Sequence, residues 1–489
     1  MDKLLKYPAV CAALGSAAAY YSFPLVRAAI PLWPRLFYAF IIILMIPVCL
    51  FRVLEFRPWS RAAVAVTAGI CLGMAAAAPE PFSLGLPPEA VVAVSGELRD
   101  DPRAFVDGRG MGSLVLSGVT GKGGLWASAK GKIAVFFPAE AIPRLKDFGR
   151  GAELYLEGSV LFGDQGPLFR AKGVHIVKAA PRIEQFRTRI RMGILEKLVG
   201  RDGQAEKGWG GLAAALLLGV RDNLDTDVAA AFRDAGCSHI LALSGMHLAI
   251  LSAVIAFFLR KPLGLKAAAL AGGVLITAYV YLAGAQPSLV RSAVMYLLGV
   301  LAILANLKPR PGLLLALAFL VQIIIQPASG ASLSFILSYL ALGGILVIGE
   351  GVHEFLKGRL PGFLSSGISA SLGAFLATAA VTALFFGVLR PVGIFAGLLI
   401  MPLATVFMIG SLGVLALNFT FPFLAGPPVF ALDLLFRFQN FLVSLAARAP
   451  GLSISRSLPV LCITLVVSAF FYFVSEKYRA KRNYLAPFN

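Results

Sequence analysis

Hydrophobic residues fill long unbroken blocks over most of this chain and alternate with polar ones over a shorter stretch, so two architectures are predicted within it. Apolar runs at 7–23, 35–54 and 61–79 each approach the ~20 residues that a helix needs to cross a bilayer. Nine more follow, near 240–259, 267–284, 289–306, 311–327, 332–349, 364–388, 391–417, 426–446 and 458–475. The fold class expected is a polytopic α-helical membrane protein of about 10 to 12 transmembrane helices.

Between the two blocks the period changes. After a Pro-rich entrance (Pro79, Pro81, Pro87, Pro88), five short segments rich in alternating or β-branched residues and separated by Gly occupy 91–98, 113–119, 132–138, 152–162 and 167–177. Five strands with no long helix suit a small β-barrel of the OB type inserted into the membrane protein, and a β-sandwich insert would use the same strands. Over 181–207, Ile183, Phe186, Ile190, Ile194 and Leu198 recur at helical spacing against Arg187, Arg189, Arg191 and Lys197. That pattern predicts a basic amphipathic helix, lying on lipid headgroups or facing an anionic ligand.

Five regions result: N-terminal membrane helices over 1–80, an OB-like unit over 81–180, amphipathic and linker helices over 181–237, a helical membrane domain over 238–476 and a basic tail over 477–489. Composition agrees with a bilayer protein. The 489 residues are 58% hydrophobic and 14% charged, with mean hydropathy +0.82. Net charge is +19, most of which the positive-inside rule explains, so the excess says little about nucleic acid. Arg52, Arg57 and Arg61 fall on the cytoplasmic side by that rule, as do Lys261, Lys308, Lys357 and the terminal KYRAKR. Both termini are then expected inside and the β unit outside. The start of the chain reads as a first anchor rather than a cleaved signal. Five cysteines in or beside apolar segments support neither a disulfide framework nor a metal site, and no cofactor is expected.

Polar side chains inside apolar spans carry the chemical information, because a charge at mid-bilayer costs about 2.5 to 3.5 kcal/mol even on the lenient insertion scale. In SHILALSGMHLAIL, Ser244 and His247 share a helix face, and Gly245 permits close backbone approach. On the residues alone, a Ser–His hydrogen bond that holds helices together is the preferred account of them. Arg291 lies about one turn into its helix after Pro287, free to snorkel or to face a pore. Asp433 and Arg437, four apart, are expected to pair. Ser332, Ser334, Ser338 and Tyr339 form a hydroxyl-rich stripe that suits a wet path or a tight helix contact.

The run over 215–250 resembles the signature of the ComEC competence family, the inner-membrane channel through which transforming bacteria import single-stranded DNA. Ser238 and His239, then Ser244, Gly245 and His247, carry that resemblance, with Pro287, Ser288 and Arg291 of a Pro-Ser-x-x-Arg helix and Pro402 in support. It implies that the β unit receives DNA and that the helical block passes one strand inward. His247 and Ser244 would then shape a polar entrance, and Arg291 would offer a cation to passing phosphates. Lys130, Lys132, Arg144, Lys146, Arg170 and Lys172, with the aromatics Trp126, Phe136 and Phe169, are the candidates for contact with the strand through a basic groove and base stacking. Implied partners are single-stranded DNA, the lipid bilayer, a separate nuclease, a DNA receptor, a cytoplasmic helicase and further copies of the chain. The implied location is the bacterial cytoplasmic membrane.

Two departures bear on this reading. Long family members end in a metallo-β-lactamase-like domain, whereas this chain has four histidines and no His-x-His-x-Asp-His cluster, so no nuclease or other enzyme activity is expected of it. Where the family often has an acidic residue and a Gln, Ser332 and Ile336 stand here. Two other classes compete: an intramembrane hydrolase with Ser244 as nucleophile and His247 as base, and a small-solute transporter.

Overall fold

A computed structural model describes residues 12–18, 20–21, 82–104, 109–163, 166–200, 208–308, 310–453 and 467. The apolar runs expected at 35–54, 61–79 and 458–475, and the basic tail, lie outside the described residues. Of the first run, 12–18 and 20–21 are helical, and Tyr20 and Tyr21 donate hydrogen bonds to the carbonyls of Pro327 and Gly330 at 3.0 Å.

The β unit is one sheet built on alternation. Strands β1 (Val91–Leu98), β3 (Gly110–Gly121), β5 (Lys132–Phe137), β6 (Glu153–Gly163) and β7 (Gly166–Lys178) cover the five stretches expected to be extended. Two short strands that carry no sequence period of their own, β2 (Arg103–Ala104) and β4 (Trp126–Ser128), pair onto β3. In β5 every second side chain is buried, which sends Ile133, Val135 and Phe137 into the core with Leu98, Leu114, Leu154, Leu156 and Phe169. Pairing runs β1–β6–β7–β5–β3, and β3 also pairs with β1, so the hydrogen-bonded path returns to the strand from which it starts. All contacts on this path are antiparallel except β5–β7. A helix of two turns, α1 (Ala141–Phe148), connects β5 to β6.

Helix α2 (Arg182–Val199) leads out of the sheet and into α3 (Trp209–Leu218), all ten residues of which are buried. A helix apolar on every side needs a core around it. At about 15 Å it is too short to cross a bilayer, and it lies instead at the centre of the largest apolar cluster. Sequence periodicity left α3 unassigned within the linker region. After α4 (Thr226–Asp234) and the single turn α5 (Ser238–Leu241), the membrane helices follow: α6 (Gly245–Ala283), α7 (Pro287–Leu304), α8 (Pro311–Ile325), α9 (Leu333–Leu356), α10 (Gly362–Phe386), α11 (Val392–Thr420) and α12 (Gly426–Ala447).

Among the described residues six of these helices, all but α8, are long and apolar enough to cross a membrane, and the chain is a polytopic helical membrane protein. Their exposed faces are oily; Phe257, Phe258 and Val274 of α6, Phe395 and Leu399 of α11, and Phe430 and Phe441 of α12 are all at least 60% exposed. A soluble protein does not display such a surface. Helix α6 covers the two runs expected near 240–259 and 267–284 and is kinked between them, where Pro262 removes a donor and Gly264 at φ +76° turns the chain.

Candidate functional site

Two neighbouring features make up the site: a cleft where the β unit, α2 and the helical block meet, and a buried polar cluster just beyond it.

The charge pattern of α2 departs from the sequence expectation. The helix was expected to set an apolar stripe with Ile183, Phe186 and Ile190 against a basic face turned to lipid headgroups or an anionic ligand, yet Ile183 and Phe186 are 65% and 62% exposed while Arg187 is 2% exposed. The reason is a partner on the far side. Asp101, in the loop after β1, accepts hydrogen bonds from Arg187 Nη1 and Nη2 at 3.0 and 2.6 Å and from Arg191 Nη1 at 2.9 Å. Arg187 Nε donates to the carbonyl of Tyr281 at 2.7 Å, and Arg191 reaches those of Leu282 and Ala283. These are last-turn carbonyls of α6, which have no partner within the helix and carry the negative end of its dipole. Arg150 and Glu184 extend the network with a 2.8 Å pair, and Tyr281 donates its hydroxyl to Glu184. Burial opposes ionisation of Asp101, but the Arg187 hydrogen bonds and the charges of Arg191, Arg187 and Arg150 outweigh it and hold the carboxyl below its ordinary range.

This clamp borders a cleft of about 1550 Å³. One wall is the β unit, with Glu97, Arg99 and Lys132; another is α2; the floor is the helical block, with Gln286, Pro287, Gln326, Ser329, Ser332 and Ser334. Acidic and basic side chains balance along the walls, while the floor is uncharged and rich in hydroxyl and amide groups.

Beyond the floor, Ser244 and Gly245 open α6. Ser244 and His247 form a reciprocal cap in which the hydroxyl accepts the backbone N–H of His247 and Nδ1 accepts the backbone N–H of Ser244 at 3.1 Å. Ser244 Oγ is also 3.1 Å from Nδ1. Because Nδ1 accepts a backbone proton, it carries none, and the imidazole proton sits on Nε2. His247 is fully buried, and among the described residues Nε2 has no hydrogen-bond partner.

Gly245 stands against α7: a Cβ there would come within 2.7 Å of Ser292 Oγ and 3.1 Å of Arg291 Nη2. Arg291, 6% exposed, donates from Nη1 to the Ser338 carbonyl at 2.9 Å and lies 5.8 Å from the centre of the Tyr339 ring. Ser288 and Ser338 share a hydrogen bond of 2.8 Å. Tyr339 donates to Gln322 Oε1 at 3.0 Å, and Gln322 Nε2 donates to the carbonyl of Pro287. Three helices, α7, α8 and α9, are thus tied by one polar network.

The candidate residues therefore separate. Ser244, Gly245, His247, Pro287, Ser288, Arg291, Ser338 and Tyr339 come together across α6, α7 and α9, whereas Ser238 and His239 are exposed on α5. The expected hydroxyl stripe splits: Ser332 and Ser334 border the cleft, while Ser338 and Tyr339 turn into the network. Arg291 and His247, expected to line a wet path, are enclosed one turn beyond the cleft because the Ser338 carbonyl and the α6 cap draw them into helix contacts. On the β unit, Trp126 is 64% exposed and Lys130, Arg170 and Lys172 are exposed, Lys132 borders the cleft, Phe136 is half-buried and Phe169 is core. Arg144 and Lys146 fall on α1, and their side chains lie outside what is described. Asp433 and Arg437 pair at 2.7 Å as their spacing requires. Sequence reasoning missed Asp101, Arg187 as a clamp, and Gln322, whose signal was one amide in the otherwise apolar LLLALAFLVQIII.

Residues 216–479, more than half of the chain, match the family model described as "Competence protein". The chain is also 28% identical over 170 residues to ComE operon protein 3 of Bacillus subtilis (strain 168), an alignment that takes in 34% of this chain and 21% of that protein. The chain thus spans about a fifth of the curated relative it matches. No solved structure matches.

Proposed function

The chain belongs to the ComEC-like competence protein family, and from that premise we propose that it serves DNA uptake by passing a single strand through its helical domain, with the cleft as the vestibule. The observation that carries this reading is the cleft itself, which lies where a strand leaving the β unit meets the helical block and has an uncharged floor of hydroxyls and amides at the polar ends of α7 and α9. A conduit must bind weakly enough to release. Balanced walls meet that need better than a strongly cationic groove would.

The β unit is read here as an OB-like barrel. Its five long strands, the return of β3 to β1 and the one parallel pair, β5–β7, support that reading. Exposed Trp126 with Lys130, Arg170 and Lys172 then provides stacking and phosphate contacts, each stacked base contributing about 1 to 3 kcal/mol. By the positive-inside rule the β unit faces outward and both termini face the cytoplasm. A nuclease, a DNA receptor and a cytoplasmic helicase would supply the remaining steps.

The 3.1 Å Ser244–His247 contact supplies the geometry of a hydrolytic dyad. Its hydrogen bonding argues for a cap: the one lone pair of Nδ1 already accepts a backbone proton, so it is not free to take that of Ser244 Oγ. We read the pair as non-catalytic.

Uptake of fluorescent DNA into a nuclease-resistant state, in cells whose only copy of the gene is deleted, restored or altered, tests the proposal. Deletion should abolish uptake, and Ser334→Trp, which fills the cleft floor, should reduce it with unchanged membrane abundance. Normal uptake by the deletion strain would refute the function, and normal uptake by Ser334→Trp would remove the cleft from the route.

A further inference from the structure

The polar network under the cleft is also a boundary between two apolar bodies. Among the described residues, Leu289 and Ala293 of α7 are buried in one cluster with Leu248 and Ile276 of α6. Ala316, Phe319 and Ile323 of α8 are buried in another, with Phe335 of α9 and Tyr20 of the N-terminal helix. No residue of α8 or α9 enters the first cluster, and none of α7 enters the second. What joins the two bodies where they meet is hydrogen bonding: Ser288 to Ser338 at 2.8 Å, Arg291 to the Ser338 carbonyl at 2.9 Å and Gln322 to the Pro287 carbonyl at 3.0 Å. Such bonds contribute little net free energy where water can replace either partner, so a polar seam parts beside a wet cleft more readily than an oily one would. The cleft lies directly over it. Pro287 borders the cleft from one body and Ser329, Ser332 and Ser334 from the other, and Ser338 is one turn beyond Ser334.

Helix α9 is irregular just past the seam. Leu333–Gly344 and Glu350–Leu356 are α-helical, but Ile345–Gly349 between them form a π turn, in which backbone hydrogen bonds span five residues. Such turns are rare, and α10 holds this one in place. A Cβ on Gly344 would run into the Gly373 carbonyl oxygen, and one on Gly349 would come within 3.0 Å of that of Ser369. In a regular α-helix, positions five apart point about 140° away from each other. The wider turn brings both glycines onto the face that meets α10. The C-terminal half of α9 is thereby pinned, while a Cβ on Gly343 would meet nothing within 4 Å, which leaves room for a bend at the start of the N-terminal half.

We propose that this seam is the gate of the conduit: α7 parts from α8 and the N-terminal half of α9, and α9 bends at its π turn while its C-terminal half stays on α10. This rests on the uptake reading and adds to it the place where the strand leaves the vestibule. The apolar clusters move as units, so that opening breaks the Ser288–Ser338, Arg291–Ser338 and Gln322–Pro287 hydrogen bonds and exposes hydroxyl and amide groups rather than oil. The structure holds the seam shut.

A lock across the seam tests this in cells. The Ser288 and Ser338 hydroxyls are 2.8 Å apart, so the double variant Ser288→Cys, Ser338→Cys places two thiols where a disulfide ties α7 to α9. Copper phenanthroline should cross-link the pair, as read by peptide mapping. Uptake of labelled DNA should then fall about tenfold or more and return on reduction with dithiothreitol. Each single variant carries the same native cysteines and should import equally with and without oxidant. Equal uptake by the oxidised and reduced pair, or failure of the pair to cross-link, would overturn the gate. If the pair imports nothing even when reduced, the single variant Ser338→Cys decides: a membrane-impermeant methanethiosulfonate should modify its thiol about tenfold faster in cells taking up DNA than in cells without DNA, and equal rates would sink the proposal. Either negative result, with uptake still abolished by deletion of the gene, leaves the uptake function standing and defeats the gate alone; normal uptake by the deletion strain removes both.

Discussion

Arg187 and Asp101 lie 86 positions apart and meet through two hydrogen bonds, with the arginine side chain 1% exposed. Through them the loop after β1 is fastened to α2 and, by the Tyr281 carbonyl, to the end of α6. The clamp thereby sets the mouth of the cleft. It joins a unit built on a period of two to one built on a period of 3.6.

Asp101→Asn should destabilise the chain strongly, because two enclosed guanidinium groups lose their shared counter-charge. The cost expected for breaking a buried pair is about 3–5 kcal/mol. Glu184, 3.8 Å from Arg187, retains one acidic neighbour and moves the value toward the lower end. Thermal unfolding in detergent measures it, and faster proteolysis between the β unit and α6 should accompany it.

The same carboxylate makes the clamp sensitive to acid. The folded value of Asp101 lies below the ordinary one, so its contribution is fully present above the unfolded value of about 3.9 and disappears as pH falls through the lower folded value. Between pH 7 and pH 5 the stability gap between wild type and Asp101→Asn should therefore stay constant, and it should narrow as the pH is taken below 4. A gap that closes above pH 5 would contradict the depressed value.

Capping by Ser244 is a separate term. Ser244→Ala should cost about 0.5–2 kcal/mol and Ser244→Thr much less, since threonine keeps the acceptor. A fluorophosphonate probe should leave Ser244 unlabelled, and covalent labelling there, detected by mass spectrometry, would favour the hydrolase.

Gly245→Val should be worse than the loss of the cap. A Cβ there would come within 2.7 Å of Ser292 Oγ and 3.1 Å of Arg291 Nη2, so both side chains must shift from their places in the polar network. Overpacking of this kind costs about 1–3 kcal/mol. Reduced uptake with retained membrane insertion is expected.

Gln322→Leu removes the acceptor of Tyr339 and the donor to Pro287 together. Leaving buried polar groups unsatisfied costs about 1–3 kcal/mol. If a Tyr339→Phe, Gln322→Leu double variant recovers part of the loss, the penalty comes from the stranded hydroxyl rather than from packing.

Periodicity was enough to find the five long strands, the apolar helices among the described residues and the Asp433–Arg437 pair, because each depends on neighbours within one turn or one pleat. The approach of Ser244 to His247 was legible for the same reason. What only the tertiary structure decided is which side of α2 faces inward, that α3 is a core helix, and that Arg291 and His247 are enclosed while Ser332 and Ser334 face the cleft. For three of the polar side chains the deciding partner comes from elsewhere in the chain: Asp101 for Arg187, Ser338 for Arg291 and Pro287 for Gln322. Local spacing fixes which residues share a face, but burial and hydrogen bonding depend on the surface that packs against that face, and that surface exists only once the chain has folded.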